Sequence, residues 1–487
     1  MYIIVFDGYL WVNLCIINEY CDTITINVNK LKYDKKGKCM NLCEKFEFPE
    51  NAGYVIKKLN EAGYEAYFVG GCVRDSILCK APYDWDITTN ALPADIKALF
   101  DKTYDTGIKH GTVTVLAGEM SLEVTTYRID GDYKDFRRPD KVEFTSSLRE
   151  DLARRDFTIN AMAYHPEHGL VDFFGGFQDL KKQVIKAVGD PEQRFREDAL
   201  RMMRAIRFSA QLGFSIEEAT FEAIKDNSAL IANISSERIR DELNKTLVSE
   251  KPVKFNYLHK TGILPYILPE FERCYKTEQV NPYHVYNVAD HTMFAVKSIE
   301  NDHILRWTML LHDVGKPPRK TTDAKGIDHF YGHQEVSSQI AEKVLNRLRF
   351  DKESIKKIVL LVKYHDMDIE DTPKSIRKAI NKIGDELFPL LLKVQKADKM
   401  AQNPDFLAER LVKWNKIEKI YSDIKSEQQC LNKKDMAVNG DDLILLLGMQ
   451  PGIEIREMLD YLCDCVLECP ELNEKQKLLE LAKKRIK

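Results

Sequence analysis

The sequence predicts an α+β protein, with a head of short strands interleaved with helices and a long, nearly all-helical remainder. Three observations carry this prediction. Between Ala66 and about Ile185, short apolar runs such as "GTVTVLAG" and "SLEVTTYR" alternate with helix-compatible segments. Beyond that point apolar residues recur at helical spacing almost to the C-terminus. At 487 residues the chain exceeds one ordinary core and suggests two to four domains.

The elements follow in order. The first 39 residues are rich in Ile, Asn and Tyr, lack a helical period, and fit neither a signal peptide nor a membrane span. The globular pattern begins at Met40, the expected natural start, and "NAGYVIKKLNEAGY" reads as an amphipathic helix ended by Gly63. Ala66 to Val69 then forms a strand that stops at Gly70-Gly71, where the backbone must turn tightly or approach something closely. The helix-compatible stretch Val73 to Leu78 follows, so N–H groups at its start and the Arg74 guanidinium can hold an anion together. In "DWDITT" a second strand places Asp84 and Asp86 on one face, where two carboxylates converge on a hard cation such as Mg²⁺. A Gly- and charge-rich loop, "DGDYKDFRRPD", precedes "DLARRDFTINAMAY", whose "INAMAY" reads as apolar helix with Arg154, Arg155 and Asp156 at its edge. In "REDALRMMRAIRF", helical spacing sets Asp198 and Arg201 at i and i+3, with Arg204 and Arg207 on the next turns.

Composition narrows the class. The net charge of -4 implies no nucleic-acid partner through bulk charge, although a local basic surface can still provide one. Eleven cysteines lie without zinc-ribbon spacing and without a secretion signal, which favours reduced thiols and a cytoplasmic protein. The "CDCVLEC" run in a Leu-rich helical stretch reads as core or half-exposed cysteines.

Taken together, "GGCVRD", "DWD", "RRDFTINAMA", "GDP" and "EDALR" resemble, in order and spacing, the class II tRNA nucleotidyltransferases (CCA-adding enzymes) and the related bacterial poly(A) polymerases. The resemblance runs from Met40 to the C-terminus. It implies a mixed-sheet, polymerase-β-like nucleotidyltransferase head, then an all-α neck, an HD domain and C-terminal helices. The corresponding boundaries are 1–39 for the extension, 40–187 for the head, 188–275 for the neck, 276–424 for the HD domain and 425–487 for a C-terminal tRNA-binding segment. The implied partners are tRNA, CTP and ATP, with no membrane; no sequence feature fixes an oligomeric state. By the resemblance Asp84 and Asp86 bind the catalytic Mg²⁺, Gly71 and Arg74 hold the triphosphate, and Arg155 with Asp156 contacts phosphate and ribose. Asp198 and Arg201 would read the base, while Arg204 and Arg207 would meet nucleotide or primer phosphates. Glu123, on the strand "SLEVTTYR", is a candidate third carboxylate. Cys79 stands where the family usually has glycine.

The base-reading expectation has a chemical basis. An ionised Asp198 accepts from an exocyclic amino group and Arg201 donates to a ring acceptor, a pairing that cytosine and adenine offer and that uracil and guanine oppose with a carbonyl. CC-only or A-only addition and poly(A) synthesis are the competing activities, and because CC-only members of the family that the chain resembles lack a complete flexible loop, the presence of "DGDYKDFRRPD" disfavours that form.

Seven of the eleven histidines fall between His284 and His365. The motifs "ADHTMF", "LLHDVGKP", "HFYGHQE", "VKYHDMD" and "KADKMA" resemble an HD phosphohydrolase domain. The resemblance implies a first metal site of His291, His312, Asp313 and Asp398, completed by His333 and His365 at a second, for a divalent metal whose identity imidazole and carboxylate together leave open. The implied companion activity is hydrolysis of phosphomonoesters or 2′,3′-cyclic phosphates.

Overall fold

In the computed structural model the described residues are 2–6, 9–13, 46–130, 142–281, 286–403, 407–427 and 433–486. Met40 and nearly all of the "DGDYKDFRRPD" loop lie outside them, as does the opening segment apart from two strands, Tyr2–Phe6 and Tyr9–Asn13, paired antiparallel. The chain divides into two compact units, one comprising residues 1–132 and 139–189, the other 133–138 and 190–487.

The first unit is built on a seven-stranded mixed sheet. Its strands are β1 (Ala66–Val69), β2 (Asp86–Thr89), β3 (Thr103–Gly107), β4 (Thr112–Ala117), β5 (Met120–Thr126), β6 (Met162–His165) and β7 (Gly169–Asp172). The spatial order is β7-β6-β1-β2-β5-β4-β3. Every neighbouring pair is antiparallel except β2 and β5, which run parallel with Asp86 opposite Glu123. Helix α1 (Glu50–Glu61) buries Ala52, Val55, Ile56 and Leu59, a spacing of one helix face, and the chain turns away at Gly63 with φ +89°. Helix α2 (Gly71–Ile77) leaves β1 through Gly70, whose φ of +80° only glycine adopts freely.

Two expectations change here. "INAMAY" is not helix: a 3₁₀ turn at Thr158–Asn160 leads straight into β6. Its apolar run reflects a strand flanked by β1 and β7 and covered on both sides, which periodicity cannot separate from a buried helix. Cys79 is disulfide-bonded, contrary to reduced thiols throughout, whereas Cys72, Cys274, Cys463, Cys465 and Cys469 are free. Cys79 adopts φ +56°, the left-handed geometry that explains a glycine at that position.

The second unit is helical apart from short two-residue strands among its described residues. The elements that matter for function are α3 (Pro191–Glu197), α4 (Leu200–Leu212), α5 (Ser236–Leu247), α6 (Val288–Ser298), α7 (His303–Leu311), α8 (His333–Arg347), α9 (Lys352–Tyr364) and α10 (Phe388–Met400). Leu361, Ile376, Ile380, Phe388, Leu391 and Trp414 share a core that fixes the later helices, and a separate cluster around Leu443, Leu462 and Leu478 holds the C-terminal ones. Cys463 belongs to this last region and is buried, while Cys469 is exposed. Among the described residues no helix is long and apolar enough to cross a membrane.

Gly315 sets one critical approach. A Cβ there would lie 2.4 Å from the His333 carbonyl oxygen and 2.5 Å from the Ser337 nitrogen, and its own N–H donates to Ser337 Oγ at 2.9 Å. The turn after α7 can therefore press onto the first turn of α8. Gly315→Ala should force these apart and destabilise the helical unit by about 1–3 kcal/mol. Gly440→Ala, whose methyl would meet only Ile455 at 3.4 Å, should leave the thermal midpoint within the range of silent changes, so differential melting of the two variants checks the packing.

Candidate active sites

The first unit concentrates charge at the end of β2. Trp85, just before β2, packs inward against Phe68, and of the two carboxylates only Asp86 lies on the strand. Asp84 itself precedes β2, which begins at Asp86. The parallel register sets Glu123 beside Asp86. Burial, opposed by Arg155 and reinforced by Glu123 and Asp84, pushes the Asp86 carboxyl up to about 6. Crowded carboxylates of this kind are relieved by a divalent cation. Their oxygens do not form a group lying within 4.8 Å of one another, as those of the helical unit do.

A buried carboxylate that sequence reading missed organises the basic residues. Asp151 is 0 % exposed; it accepts from Arg154 at 2.7 Å, Arg155 at 3.3 Å and Thr88 Oγ1 at 3.1 Å. Although burial opposes ionisation, the two guanidinium groups outweigh it and hold Asp151 below the usual carboxylate range. The i, i+3 and i, i+4 spacing within "DLARR" was the available signal. Asp151 thereby aims Arg155 toward the glycine turn: a Cβ on Gly70 would stand 3.1 Å from Arg155 Nη1.

Arg74 and Asp156 both contact Asn160. Arg74 is a buried guanidinium that donates through Nε and Nη2 to Asp75, at 2.8 Å each, and through Nη1 to Asn160 Oδ1 at 2.7 Å. Asp156 accepts from the Phe157 N–H and from Asn160 Nδ2, so it braces the turn into β6. Gly71 begins α2, with Arg74 Nη2 3.8 Å from the position of a Cβ. Asn160, which links Arg74 to Asp156, was not singled out by the sequence.

In the second unit Asp198 and Arg201 are not one turn apart on a single helix. Asp198 is extended, with φ −136° and ψ 103°, between α3 and α4, and its Oδ1 accepts from the Leu200 N–H. Asp is a strong helix-start residue, and this local bond outcompetes continued helix. Asp198 pairs with Arg238 of α5 at 3.0 Å, while Arg201 and Arg194 clasp Glu197 at 2.7 and 2.8 Å. Arg238 is forty positions away and carries no local signature. Arg207 is likewise internal, bound to Glu242 at 2.6 Å and Gln211 at 3.0 Å. Arg204 lies over the Phe208 ring at 5.5 Å.

All six HD-motif residues converge. His291 projects from α6, His312 and Asp313 follow α7, His333 opens α8, His365 follows α9 and Asp398 lies on α10. One set of ligand atoms within 4.8 Å comprises His291, His312, Asp313 and Asp398; a second comprises Asp313, His333 and His365. Asp313 belongs to both. His312, His333 and His365 each use Nδ1 to reach the carbonyl three residues back, at 2.7, 2.9 and 2.7 Å, and His291 Nδ1 faces the Ala401 carbonyl at 3.2 Å. Each ring thus directs Nε2 to the centre, the outer-shell arrangement of ligating imidazoles.

The electrostatics point the same way. Burial opposes ionisation of Asp313, but His312 and Lys316 outweigh it and hold the carboxyl well below its usual range. Burial would lower His312, yet Asp313 and Asp398 lift it to about 10; burial, then His312 and His333, push His365 down to about 4. His312 Nε2 and both Asp313 oxygens are buried without a hydrogen-bond partner, even though Lys316 Nζ forms an ion pair 2.7 Å from Asp313 Oδ2. Orphaned acceptors in a nitrogen-and-oxygen ligand set fit one or two divalent ions. A further group, His165, Glu167 and His168, fits less well, because His165 Nδ1 already accepts from the N–H groups of the other two.

Three family models match the chain: the Poly A polymerase head domain over residues 66–186, the RNA- and SrmB-binding site of polymerase A over 213–275, and tRNA nucleotidyltransferase domain 2 over 321–482. A CCA-adding enzyme of Ligilactobacillus salivarius is 37% identical over 430 residues, 88% of this chain and 95% of that protein. One from Limosilactobacillus reuteri is 55% identical over 204 residues, 42% of this chain and 51% of that protein, so the match spans about half that relative's length. A Bacillus stearothermophilus CCA-adding enzyme in complex with CTP has a TM-score of 0.68 at 30% identity, covering 90% of this chain and 98% of that chain.

The raised Asp86 carboxyl yields a pH dependence. The folded state binds this proton more tightly than the unfolded one, so its stabilisation is complete below about pH 4 and is lost as pH rises through about 6. In buffer containing a chelator, melting from pH 4 to 7 should show a loss on the order of 2 kcal/mol that Asp86→Asn abolishes; an identical profile in the variant would remove Asp86 as its source.

Proposed function

The chain belongs to the family of CCA-adding enzymes, and on that premise we propose that it adds CCA to the 3′ end of tRNA from CTP and ATP, without a nucleic-acid template and with release of pyrophosphate. The observation that carries this reading is the register of β2 and β5, which seats Glu123 beside Asp86 with Asp84 two residues ahead. Nucleotidyl transfer in the family implies a divalent metal. We assign Mg²⁺ to Asp84 and Asp86, with Glu123 as third carboxylate; when bound it lowers the pKa of the attacking 3′-hydroxyl and offsets charge on the leaving pyrophosphate.

The chain's own groups supply the rest. Arg155, held by Asp151 against the Gly70 turn, meets phosphate, with Gly71 allowing close backbone approach. Arg74, tied to Asp75 and Asn160, braces that turn and reaches the triphosphate only by exchanging a partner. Asp198 keeps acceptor capacity beyond its bonds to Leu200 and Arg238 and can accept a hydrogen bond from the exocyclic amino group of cytosine or adenine; Arg201 supplies the complementary donor. A cytoplasmic location accompanies this role.

Incubation with tRNA ending at its discriminator base, and each triphosphate alone or together, tests the activity. CCA should appear only with CTP and ATP, and Asp86→Ala should abolish it. Adenylate tails from ATP alone would point to poly(A) synthesis, and arrest after CC or addition of A alone to a partial enzyme. In the same assay Asp198→Ala should cut the preference for CTP over UTP by on the order of 2 kcal/mol; an unchanged ratio in an active variant would free Asp198 from base reading.

A second reading is favoured by the four histidines whose Nε2 atoms gather around Asp313, with Asp398 beside His291 and His312: the HD residues hold a divalent metal and hydrolyse phosphomonoesters or 2′,3′-cyclic phosphates. The bound ion would supply an activated water, while Lys316 would place positive charge beside the phosphate. Asp313→Asn should remove phosphate release from these esters and spare CCA addition. Loss of both activities would identify the cluster as structural.

A further inference from the structure

The cavity over the six-ligand cluster has features that phosphate hydrolysis alone does not require. Its volume is about 580 Å³, well beyond the needs of a phosphate group. Asp313, His333, His365 and Asp398 face into it, with Lys316, Lys399 and Arg410 as neighbouring cations. Arg410 is coupled to the ligands through Gln402, which accepts from its Nη1 at 2.6 Å and donates to Asp398 at 3.3 Å.

Tyr331 also lines this cavity and is 76 % exposed. Its ring lies parallel to that of His329, with centroids 5.3 Å apart and planes within 7°. The ring is linked through hydrogen bonds to the strand beneath it. Tyr331 Oη is 3.3 Å from His329 Nδ1, and His329 Nε2 is 3.1 Å from Asp323 Oδ2. Asp323 is itself fixed by the N–H groups of Lys325 and Ile327, and the buried Asp328 ties the adjacent strand to Lys320 and the Val280 N–H. A large aromatic ring held in place yet left to water, beside a cationic, metal-ligating cavity, has the chemistry of a base-stacking surface.

Resting on the hydrolase reading of this site, we propose that Tyr331, backed by His329, is a nucleobase platform. The ligand is then a nucleoside phosphate or the phosphorylated 3′ end of a nucleic acid, its phosphate toward Lys316, Lys399 and the ligand cluster and its base on Tyr331. The platform selects nucleotides over small phosphate esters. Tyr331 is a specificity-determining residue in this assignment and touches no reacting bond.

The test uses the full chain with Mn²⁺ and compares 3′-AMP with glycerol 2-phosphate. Tyr331→Trp should gain a saturable fluorescence quench with 3′-AMP, beyond that of wild type, and none with glycerol 2-phosphate. Tyr331→Ala should raise KM for 3′-AMP about 5- to 150-fold, leave glycerol 2-phosphate hydrolysis unchanged, and be rescued by Tyr331→Phe. Equal 3′-AMP parameters in wild type and Tyr331→Ala, with no added quench in Tyr331→Trp, would overturn the platform. Because the quench needs no turnover, its presence in a protein that hydrolyses neither ester would support the platform while refuting the hydrolase reading.

Discussion

Burying a carboxylate is the constraint on which both units depend. An ionised carboxylate removed from water must be surrounded by donors or cations, or its desolvation is not offset. Asp151 and Asp313, 0 % and 1 % exposed, meet this requirement in opposite ways. Asp151 is saturated by protein donors, so it stiffens the head and fixes Arg154 and Arg155. Asp313 has buried oxygens without hydrogen-bond partners, although His312 and Lys316 stand within ion-pair distance. The first arrangement makes a scaffold; the second leaves coordination capacity at the junction of two ligand groups.

The same contrast runs through the arginines. Arg74 and Arg207, expected at phosphates, and Arg201, expected at the base, are each buried against a carboxylate one or a few positions away or on a packed neighbouring helix. A buried guanidinium needs its planar fork satisfied, and the nearest carboxylate does so at lowest entropic cost. Their contribution in this state is to hold backbone geometry. Arg155 differs because Asp151 constrains it while it remains close enough to the glycine turn and Asp86 to act on both.

The helical unit converts regular geometry into a ligand cage. His312 and His365 follow the last turns of their helices, where a ring can bond a carbonyl three residues earlier without disturbing the helix interior. His333 makes the same bond at a helix start. With Nδ1 committed, rotation of each ring is restricted and Nε2 is pre-aimed. Gly315 then allows the backbone approach that sets His333 3.3 Å from Asp313.

Local spacing was enough to identify the strand before Gly70 and the carboxylate pair of "DWD", because each is written within a few residues, whereas the HD ligand set followed from resemblance to a family. It misread "INAMAY" because burial on both faces erases periodicity, and it placed Asp198 within a helix because a capping aspartate resembles a helical one when only spacing is seen. Sequence by itself determined the inventory of donors, carboxylates and imidazoles, their order, and the α+β-then-helical architecture. Tertiary structure alone decided that Glu123 stands beside Asp86, that Asp198 meets Arg238, and that one carboxylate, Asp313, is shared by two ligand groups. Those contacts join distant positions through sheet register and helix packing, whereas a pattern of neighbours encodes only what lies within a turn or one strand.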